Sequence, residues 1–104
     1  LPTSPEFAMK RLLVGGLEKI FQICSSYRYE PNSRTHSPEF TMLEWYRAYS
    51  NLDSIMKDTE ELFEFIAIQL NGKPEIEFQG KTISLKTPWP RLTIRALFDS
   101  IGVD

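Results

Sequence analysis

The sequence is poor in the residues that build metal centres and disulfide bonds: it contains one cysteine, Cys24, and one histidine, His36. A single cysteine excludes a disulfide bond within the chain and is typical of a reducing compartment. One cysteine and one histidine also fall short of the ligands that a structural zinc site needs. We therefore expect no metal site in this chain and a cytoplasmic location.

Other absences narrow the class of protein further. The net charge is −2, from 12 basic and 14 acidic residues, which excludes a broad basic surface for non-specific nucleic-acid binding. No apolar run approaches the ~20 residues that span a bilayer, so we expect no membrane association. Phosphate-binding patterns of the GxxxxGK and GxGxxG types are missing. The first residues, LPTSPEF, have neither an initiating Met nor the features of a signal peptide, and we expect a segment of a longer chain.

Periodic patterns divide the 104 residues into helices and strands. Alternation of apolar and polar residues indicates strands, and apolar residues three or four apart indicate helices. The resulting order is a helix capped by Ser4 and ended by Gly15-Gly16, strands over Ile20–Glu30 and Glu39–Tyr49, a helix from Ser50 to Gly72, a hairpin over Glu75–Lys86 turning at Gln79-Gly80, and a last helix capped by Thr93. The sequence thus predicts an α+β fold, an antiparallel sheet with packed helices.

The long helix carries an apolar stripe and an acidic run. The helical spacing of the stripe predicts that it packs in the core. Its members are Leu52, Ile55, Met56, Leu62, Phe63, Ile66 and Leu70. We expect the solvent-facing side of the same helix to be formed by its acidic residues, Asp58, Glu60, Glu61 and Glu64.

The two strands between Tyr27 and Tyr46 carry polar side chains where a plain hairpin would carry aliphatic ones. Residues two apart on a strand share a face. Arg28 and Glu30 therefore share a face of the first strand, and one face of the second is made of Phe40, Met42, Glu44 and Tyr46. A guanidinium, two carboxylates and a phenol on one surface indicate a binding site. An ordinary hairpin with a solvated polar face is the alternative.

Two runs of the sequence carry a family resemblance. One comprises Arg28-Tyr29-Glu30, a short loop, and HSPEFTMLEWY from His36 to Tyr46; the other comprises Ser4-Pro5-Glu6 and MKRLL at residues 9–13. The first resembles motif two of the class II aminoacyl-tRNA synthetases, specifically their lysyl branch, and the second resembles the lysine-site helix of that branch. The resemblance covers the whole chain. It implies that residues 1–104 are part of a class II catalytic domain, without its motifs one and three.

Within this branch the chain resembles two kinds of enzyme. Thr3-Ser4-Pro5-Glu6, FQIC at residues 21–24 and LEWYR at residues 43–47 are more similar to elongation factor P–lysine ligase. Gly15-Gly16 and Ala48-Tyr49 are more similar to lysyl-tRNA synthetase. The ligase is the favoured interpretation and the synthetase its alternative. For the isolated chain, a non-catalytic fragment or interaction module is a further alternative.

Both enzymes join lysine to ATP. The resemblance therefore implies that the parent protein makes lysyl-adenylate and pyrophosphate, and then passes lysine to elongation factor P or to tRNA. It also implies a homodimer, and Mg²⁺ whose ligands lie mainly outside this chain.

The resemblance also implies roles for individual residues. Arg28 would be catalytic, because a fixed guanidinium fork suits the charge that develops on the α-phosphate. Glu30 would accept a hydrogen bond from the adenine amino group, and Phe40 would stack on the ring. The implied ATP-binding residues are Arg28, Tyr29, Glu30, His36, Ser37 and Phe40.

The implied lysine-binding residues are Ser4, Glu6, Glu44 and Tyr46. Glu6 would pair with the α-ammonium of lysine, while Glu44 and Tyr46 would bind its ε-ammonium. Three residues of the hairpin depart from the family pattern. They are Ser25, Tyr29 and Ser37, which stand where the family usually has Arg or Asn, an acidic or amide residue, and Asn.

Overall fold

The described residues, 1–31 and 33–102, form three helices and four strands in the computed structural model. They belong to two units, Leu1–Asn51 and Leu52–Asp104. Each unit combines helix with a two-stranded antiparallel sheet. The predicted α+β class is therefore confirmed, with two small sheets in place of one. Within these described ranges no helix is long and apolar enough to cross a membrane.

The first unit begins with helix α1, Glu6–Val14. The backbone amide of Glu6 donates to Ser4 Oγ over 3.0 Å, so Ser4 satisfies one of the amides that a helix start leaves unpaired. Beyond the helix, Gly16 has a φ of 105°, which a residue with a Cβ atom rarely adopts. Met9 is the buried residue of this helix, with 1% of its surface exposed.

Strands β1, Lys19–Tyr27, and β2, Glu39–Arg47, pair antiparallel along their whole length. Alternate pairs share a face of the hairpin. One face therefore contains the pairs Ile20 with Tyr46, Gln22 with Glu44, Cys24 with Met42, and Ser26 with Phe40. The sequence predicts the charged and polar side chains on this face. The register therefore brings side chains of the two strands together there.

Both strands end earlier than the sequence predicts. After β1, the Arg28 amide makes one more hydrogen bond across the hairpin, to the carbonyl oxygen of Pro38 over 2.9 Å. β2 ends before Tyr49, whose φ of 55° lies in the left-handed region that an extended strand does not use. The predicted break at Pro31-Asn32-Ser33 includes Asn32, which lies outside the described residues.

The second unit contains helix α2, Leu52–Asn71, followed by a small hairpin. The hairpin consists of β3, Glu75–Phe78, and β4, Lys81–Ser84. Its turn lies at Gln79 and Gly80, as the sequence predicts. These residues have φ values of 50° and 75°, and positive values at both central positions are what a type I′ turn requires.

A short helix, α3, follows at Ile94–Ser100. Thr93 Oγ accepts a hydrogen bond from the Ala96 amide over 3.1 Å, so Thr93 is the N-cap, as predicted. A threonine hydroxyl can take this role because it satisfies an amide that has no partner within the helix.

The prediction for α2 is wrong in two respects. Four members of its apolar stripe are exposed, namely Leu52, Phe63, Ile66 and Leu70. Conversely, Glu60 of the acidic run is only 5% exposed. The reason is a hydrogen-bond partner 29 residues further along the chain, which the helical periodicity of α2 cannot reveal.

Two carboxylates of α2 hold the segment Thr87–Arg91. Glu60 Oε2 accepts hydrogen bonds from the Trp89 amide (2.8 Å) and from Arg91 Nη1 (2.9 Å). One turn later, Glu64 accepts two hydrogen bonds from Thr87, one from its amide (3.1 Å) and one from its hydroxyl (2.7 Å). Hydrogen bonds to a charged group are stronger than neutral ones, so these carboxylates fix the segment to the helix.

We expect Glu60→Gln to destabilise the second unit at neutral pH, because it removes the charge that faces Arg91. The hydrogen bond from Arg91, and then that from the Trp89 amide, lower the pKa of the Glu60 carboxyl from its ordinary value of 4.5. Because the folded-state pKa lies below the unfolded one, this stabilisation is present above pH 4.5 and disappears as the pH falls through the folded-state pKa. Urea unfolding should show a lower midpoint for the variant at neutral pH and a smaller difference in acid.

The matched control is Glu61→Gln. Glu61 is the next residue of α2, its side chain is 56% exposed, and it lies 3.6 Å from Lys57 in a surface ion pair. Such pairs contribute little to stability, so this variant should unfold at the wild-type midpoint. Equal midpoints for Glu60→Gln and the wild type at neutral pH would contradict the proposed role of Glu60.

Candidate functional site

A cleft of about 340 Å³ lies where the hairpin of the first unit meets its connecting loop. This volume is within the range of small-molecule sites. Its lining residues are Arg28, Glu30, Thr35, His36, Ser37 and Phe40. All but Thr35 are among the residues that the sequence assigns to ATP. Tyr29 has the same assignment but does not line the cleft, and its side chain is 88% exposed.

The arginine of the cleft is held by two contacts. Its guanidinium carbon lies 5.4 Å from the centre of the Phe40 ring, a distance typical of a cation–π contact. Its Nε donates to the carbonyl oxygen of Thr3 over 3.3 Å. Arg28 Nε is therefore engaged, and the rest of the planar fork lies beside an aromatic ring, where it can meet a phosphate.

The loop part of the cleft is organised by Ser33. Ser33 Oγ accepts hydrogen bonds from the amides of Thr35 (3.3 Å) and His36 (3.1 Å), a local pattern that serine commonly makes in turns. The same oxygen lies 2.8 Å from His36 Nδ1, and Thr35 Oγ1 lies 3.1 Å from that nitrogen. These contacts set the position of the His36 ring at the cleft. No periodic signal in the sequence singles out Thr35; only its place beside His36 does.

A second cluster lies further along the same face of β2, around Glu44. Ser4 Oγ donates to Glu44 Oε1 over 2.5 Å, and the Tyr46 hydroxyl donates to Glu44 Oε2 over 3.1 Å. Each carboxylate oxygen of Glu44 thus accepts one hydrogen bond. The pKa of Tyr46 is raised to about 12, first by burial, then by the hydrogen bond to Glu44, and then by the negative charges of Glu44 and Glu6.

The cluster favours a cationic ligand. Glu44 is a half-buried carboxylate, Tyr46 stays a neutral phenol at physiological pH, and Glu6 adds a second negative charge near by. Glu6 also accepts a hydrogen bond from Lys10 one helical turn later, in an exposed ion pair. An ammonium group placed beside Glu44 would compensate a half-buried negative charge that has no basic partner among these residues.

The structure therefore brings all four residues that the sequence assigns to lysine into one region. Ser4, Glu44 and Tyr46 are joined by hydrogen bonds, and the charge of Glu6 acts on Tyr46. Sequence reasoning did not single out Gln22, which lies directly opposite Glu44 in the hairpin. Alternation along β1, combined with the register of the hairpin, indicates that Gln22 lies on the same face as Glu44.

Within residues 1–31 and 33–102, no three histidine, cysteine, aspartate or glutamate side chains are close enough together to hold a metal ion. The cleft and the Glu44 cluster instead contain charged and hydrogen-bonding side chains.

Comparisons with a family model and with individual proteins indicate the same family. Residues 1–104 match the model of the family described as tRNA synthetases class II (D, K and N). The chain is 43% identical over 105 residues to lysine–tRNA ligase 2 of Methanosarcina mazei, a match that covers 100% of this chain and 20% of that protein. It is 48% identical over 92 residues to lysine–tRNA ligase of Pelotomaculum thermopropionicum, covering 88% and 18%.

A third relative is lysine–tRNA ligase of Agrobacterium fabrum, 46% identical over 106 residues, with 100% of this chain and 21% of the relative covered. The chain thus spans about a fifth of the length of the curated relatives that it matches.

The ionisation of Tyr46 gives a test of the Glu44 cluster. We expect Glu44→Gln to lower the pKa of Tyr46 from about 12, yet to leave it above the ordinary 10.0, because burial is the larger cause. Near-ultraviolet absorbance of tyrosinate, recorded as the difference between each protein and its Tyr46→Phe counterpart, measures this pKa. Because the folded-state pKa is raised, the associated stabilisation is present below pH 10 and is lost as the pH rises towards 12.

Glu18→Gln is the control for that titration, since Glu18 is an exposed carboxylate of the same unit. It should leave the difference titration unchanged. A Tyr46 titration that is the same in the wild type and in Glu44→Gln would contradict the hydrogen-bonded cluster.

Proposed function

This chain belongs to the tRNA synthetases class II (D, K and N), and from that membership we propose that it is part of the catalytic domain of a lysine-activating ligase. In the proposed reaction the lysine carboxylate attacks the α-phosphate of ATP. The new bond joins carboxylate oxygen to phosphorus, and the bond to the leaving pyrophosphate breaks, which gives lysyl-adenylate. The observation that carries the proposal is that one face of β2 presents Phe40 in the cleft and Glu44 in the acidic cluster.

The cleft supports the ATP half of the proposal. Phe40 would stack on adenine, and Glu30 would accept a hydrogen bond from its amino group. Arg28, already lying beside the Phe40 ring, would hold the α-phosphate and stabilise its developing charge. His36 and Ser37, which line the loop side, would face the outer phosphates. The Mg²⁺ that accompanies ATP would be held mainly by residues outside this chain.

The Glu44 cluster supports the lysine half. The ε-ammonium would take the free lone pairs of the Glu44 carboxylate and of the Tyr46 oxygen, while Glu6 would pair with the α-ammonium. Substrates without an ε-ammonium would leave the half-buried carboxylate of Glu44 without a counter-ion, which would give the site its selectivity. Lys10 now pairs with Glu6 at the surface, and such an exposed pair is weak enough to be exchanged.

For the acceptor we propose tRNA. The relatives described above are named lysine–tRNA ligases and are 43% to 48% identical to this chain. Elongation factor P is the rival acceptor, supported by the resemblance of the Thr3-to-Glu6 run to the ligase. For the whole protein we propose a cytoplasmic homodimer. For the isolated 104 residues we propose a fragment without turnover.

The role of Arg28 can be tested by lysine-dependent exchange between ATP and pyrophosphate in the full-length protein. Arg28→Ala should lower the exchange rate by about 10²- to 10³-fold, the usual cost of removing a group that stabilises transition-state charge. Arg28→Lys should recover only part of it, because an ammonium lacks the fork. Arg95→Ala, which removes an exposed arginine of α3, is the control and should exchange at the wild-type rate.

Adenosine separates a phosphate role from a structural one. Because adenosine has no phosphate, Arg28→Ala should bind it as well as the wild type does, as measured by calorimetry. Exchange at the wild-type rate by Arg28→Ala would contradict the catalytic role of Arg28. Failure of the wild type to exchange with lysine would sink the proposed function.

The acceptor can be decided with radiolabelled lysine. The full-length protein should transfer the label to tRNA in the presence of ATP and should leave elongation factor P unlabelled. Glu44→Gln should abolish transfer to either acceptor, since lysine is activated before it is transferred. Labelling of elongation factor P alone would overturn the tRNA assignment and favour the rival ligase. The isolated 104 residues should label neither, and adenylate formation by them would refute the fragment proposal.

A further inference from the structure

We infer that Ser4 is a positioning residue that holds the Glu44 carboxylate against the start of the helix that carries Glu6, and thereby sets the selectivity of the site for the length of a diamine. The inference rests on the proposed function, because it concerns the lysine site of that reaction. The proposed function names the groups that bind the two ammoniums of lysine. The inference adds Ser4, which would determine how far apart those groups are held.

One hydroxyl connects the two carboxylate-bearing elements. Ser4 Oγ accepts a hydrogen bond from the Glu6 amide (3.0 Å) and donates one to Glu44 Oε1 (2.5 Å). A serine hydroxyl has one donor and two acceptor positions, so it can do both at once. Ser4 thus links the first residue of α1 to the middle of β2, across a sequence separation of 40 residues.

The residues before Ser4 are fastened to the hairpin as well. The Tyr27 amide donates to the carbonyl oxygen of Pro2 over 2.9 Å, and Arg28 Nε donates to that of Thr3 over 3.3 Å. Three consecutive residues, 2 to 4, therefore each make a hydrogen bond to the hairpin. Ser4 is half-buried, and its position is set from both sides.

The Ser4 bond also restrains the Glu44 side chain. With Ser4 on Oε1 and Tyr46 on Oε2, rotation of the carboxylate would break one bond or the other. Without Ser4, only the Tyr46 bond would hold it, and the distance from Glu44 to Glu6 would vary. Lysine carries its two ammoniums one methylene further apart than ornithine does, so a fixed spacing between the carboxylates can separate the two amino acids.

The experiment compares Ser4→Ala with Ser4→Thr in ATP–pyrophosphate exchange by the full-length protein, with lysine or ornithine as the amino acid. Ser4→Ala should raise the KM for lysine about tenfold, the value expected for a lost hydrogen bond to a charged group. It should leave the KM for ATP unchanged and reduce the preference for lysine over ornithine. Ser4→Thr keeps the hydroxyl and should restore both the KM and the preference.

A purely structural role would give a different pattern. If Ser4 served only as a helix cap, Ser4→Ala would raise the KM values for lysine and ATP together and leave the ratio of lysine to ornithine unchanged; that result overturns the inference. So does a wild-type KM for lysine in Ser4→Ala. The control is Thr41→Ala, which removes an exposed hydroxyl on the opposite face of β2 and should behave as the wild type.

The two levels of the proposal fail in distinguishable ways. If the wild type exchanges with lysine and Ser4→Ala has the same KM for lysine, only the inference about Ser4 is wrong. A wild type that supports no exchange with lysine removes the proposed function, and the inference with it.

Discussion

The pairing of β1 with β2 is the constraint on which the candidate site depends. Each residue from Lys19 to Tyr27 has a partner between Arg47 and Glu39, without a bulge. Because side chains alternate across a strand, a shift of one residue in this register would send every side chain to the other face. Phe40 and Glu44 share a face because side chains alternate along β2, and the register decides which residues of β1 lie opposite them, namely Ser26 and Gln22.

The buried part of the same face is small and contains both polar and apolar side chains. Ser26 is fully buried, and its hydroxyl contacts the sulfur of Met42 at 4.0 Å. A buried hydroxyl with so weak an acceptor contributes little by itself. Met42 itself lies between Phe40 and Glu44 along the same face of β2. On this strand, therefore, one apolar side chain stands between the residue of the cleft and the residue of the acidic cluster.

Local features were predictable from the sequence because their causes are local. The Gln79-Gly80 turn depends on a glycine that tolerates positive φ, and the Thr93 cap depends on one hydroxyl and one amide three residues away. That Glu44 and Tyr46 share a face of β2 follows from alternation. These predictions need only a few neighbouring residues, and the family resemblance adds their chemical meaning.

The features that could not be predicted depend on distant partners. Glu60 reads as a solvent-facing acid of α2, yet its partners Trp89 and Arg91 lie in a segment with no periodicity of its own. The exposure of Leu70, which is 78%, is likewise decided by what packs against the helix. Helical spacing marks an apolar face but cannot state what covers it.

The raised pKa of Tyr46 has a consequence for chemical modification. Reagents such as iodine attack tyrosine in its phenolate form, and Tyr46 holds its proton to about pH 12 while it is hydrogen-bonded to Glu44. Tyr49, three residues later, is 95% exposed and open to the same reagents. A phenolate-directed label would therefore attach at the exposed tyrosines, Tyr29 and Tyr49, and leave the phenol of the Glu44 cluster unmodified.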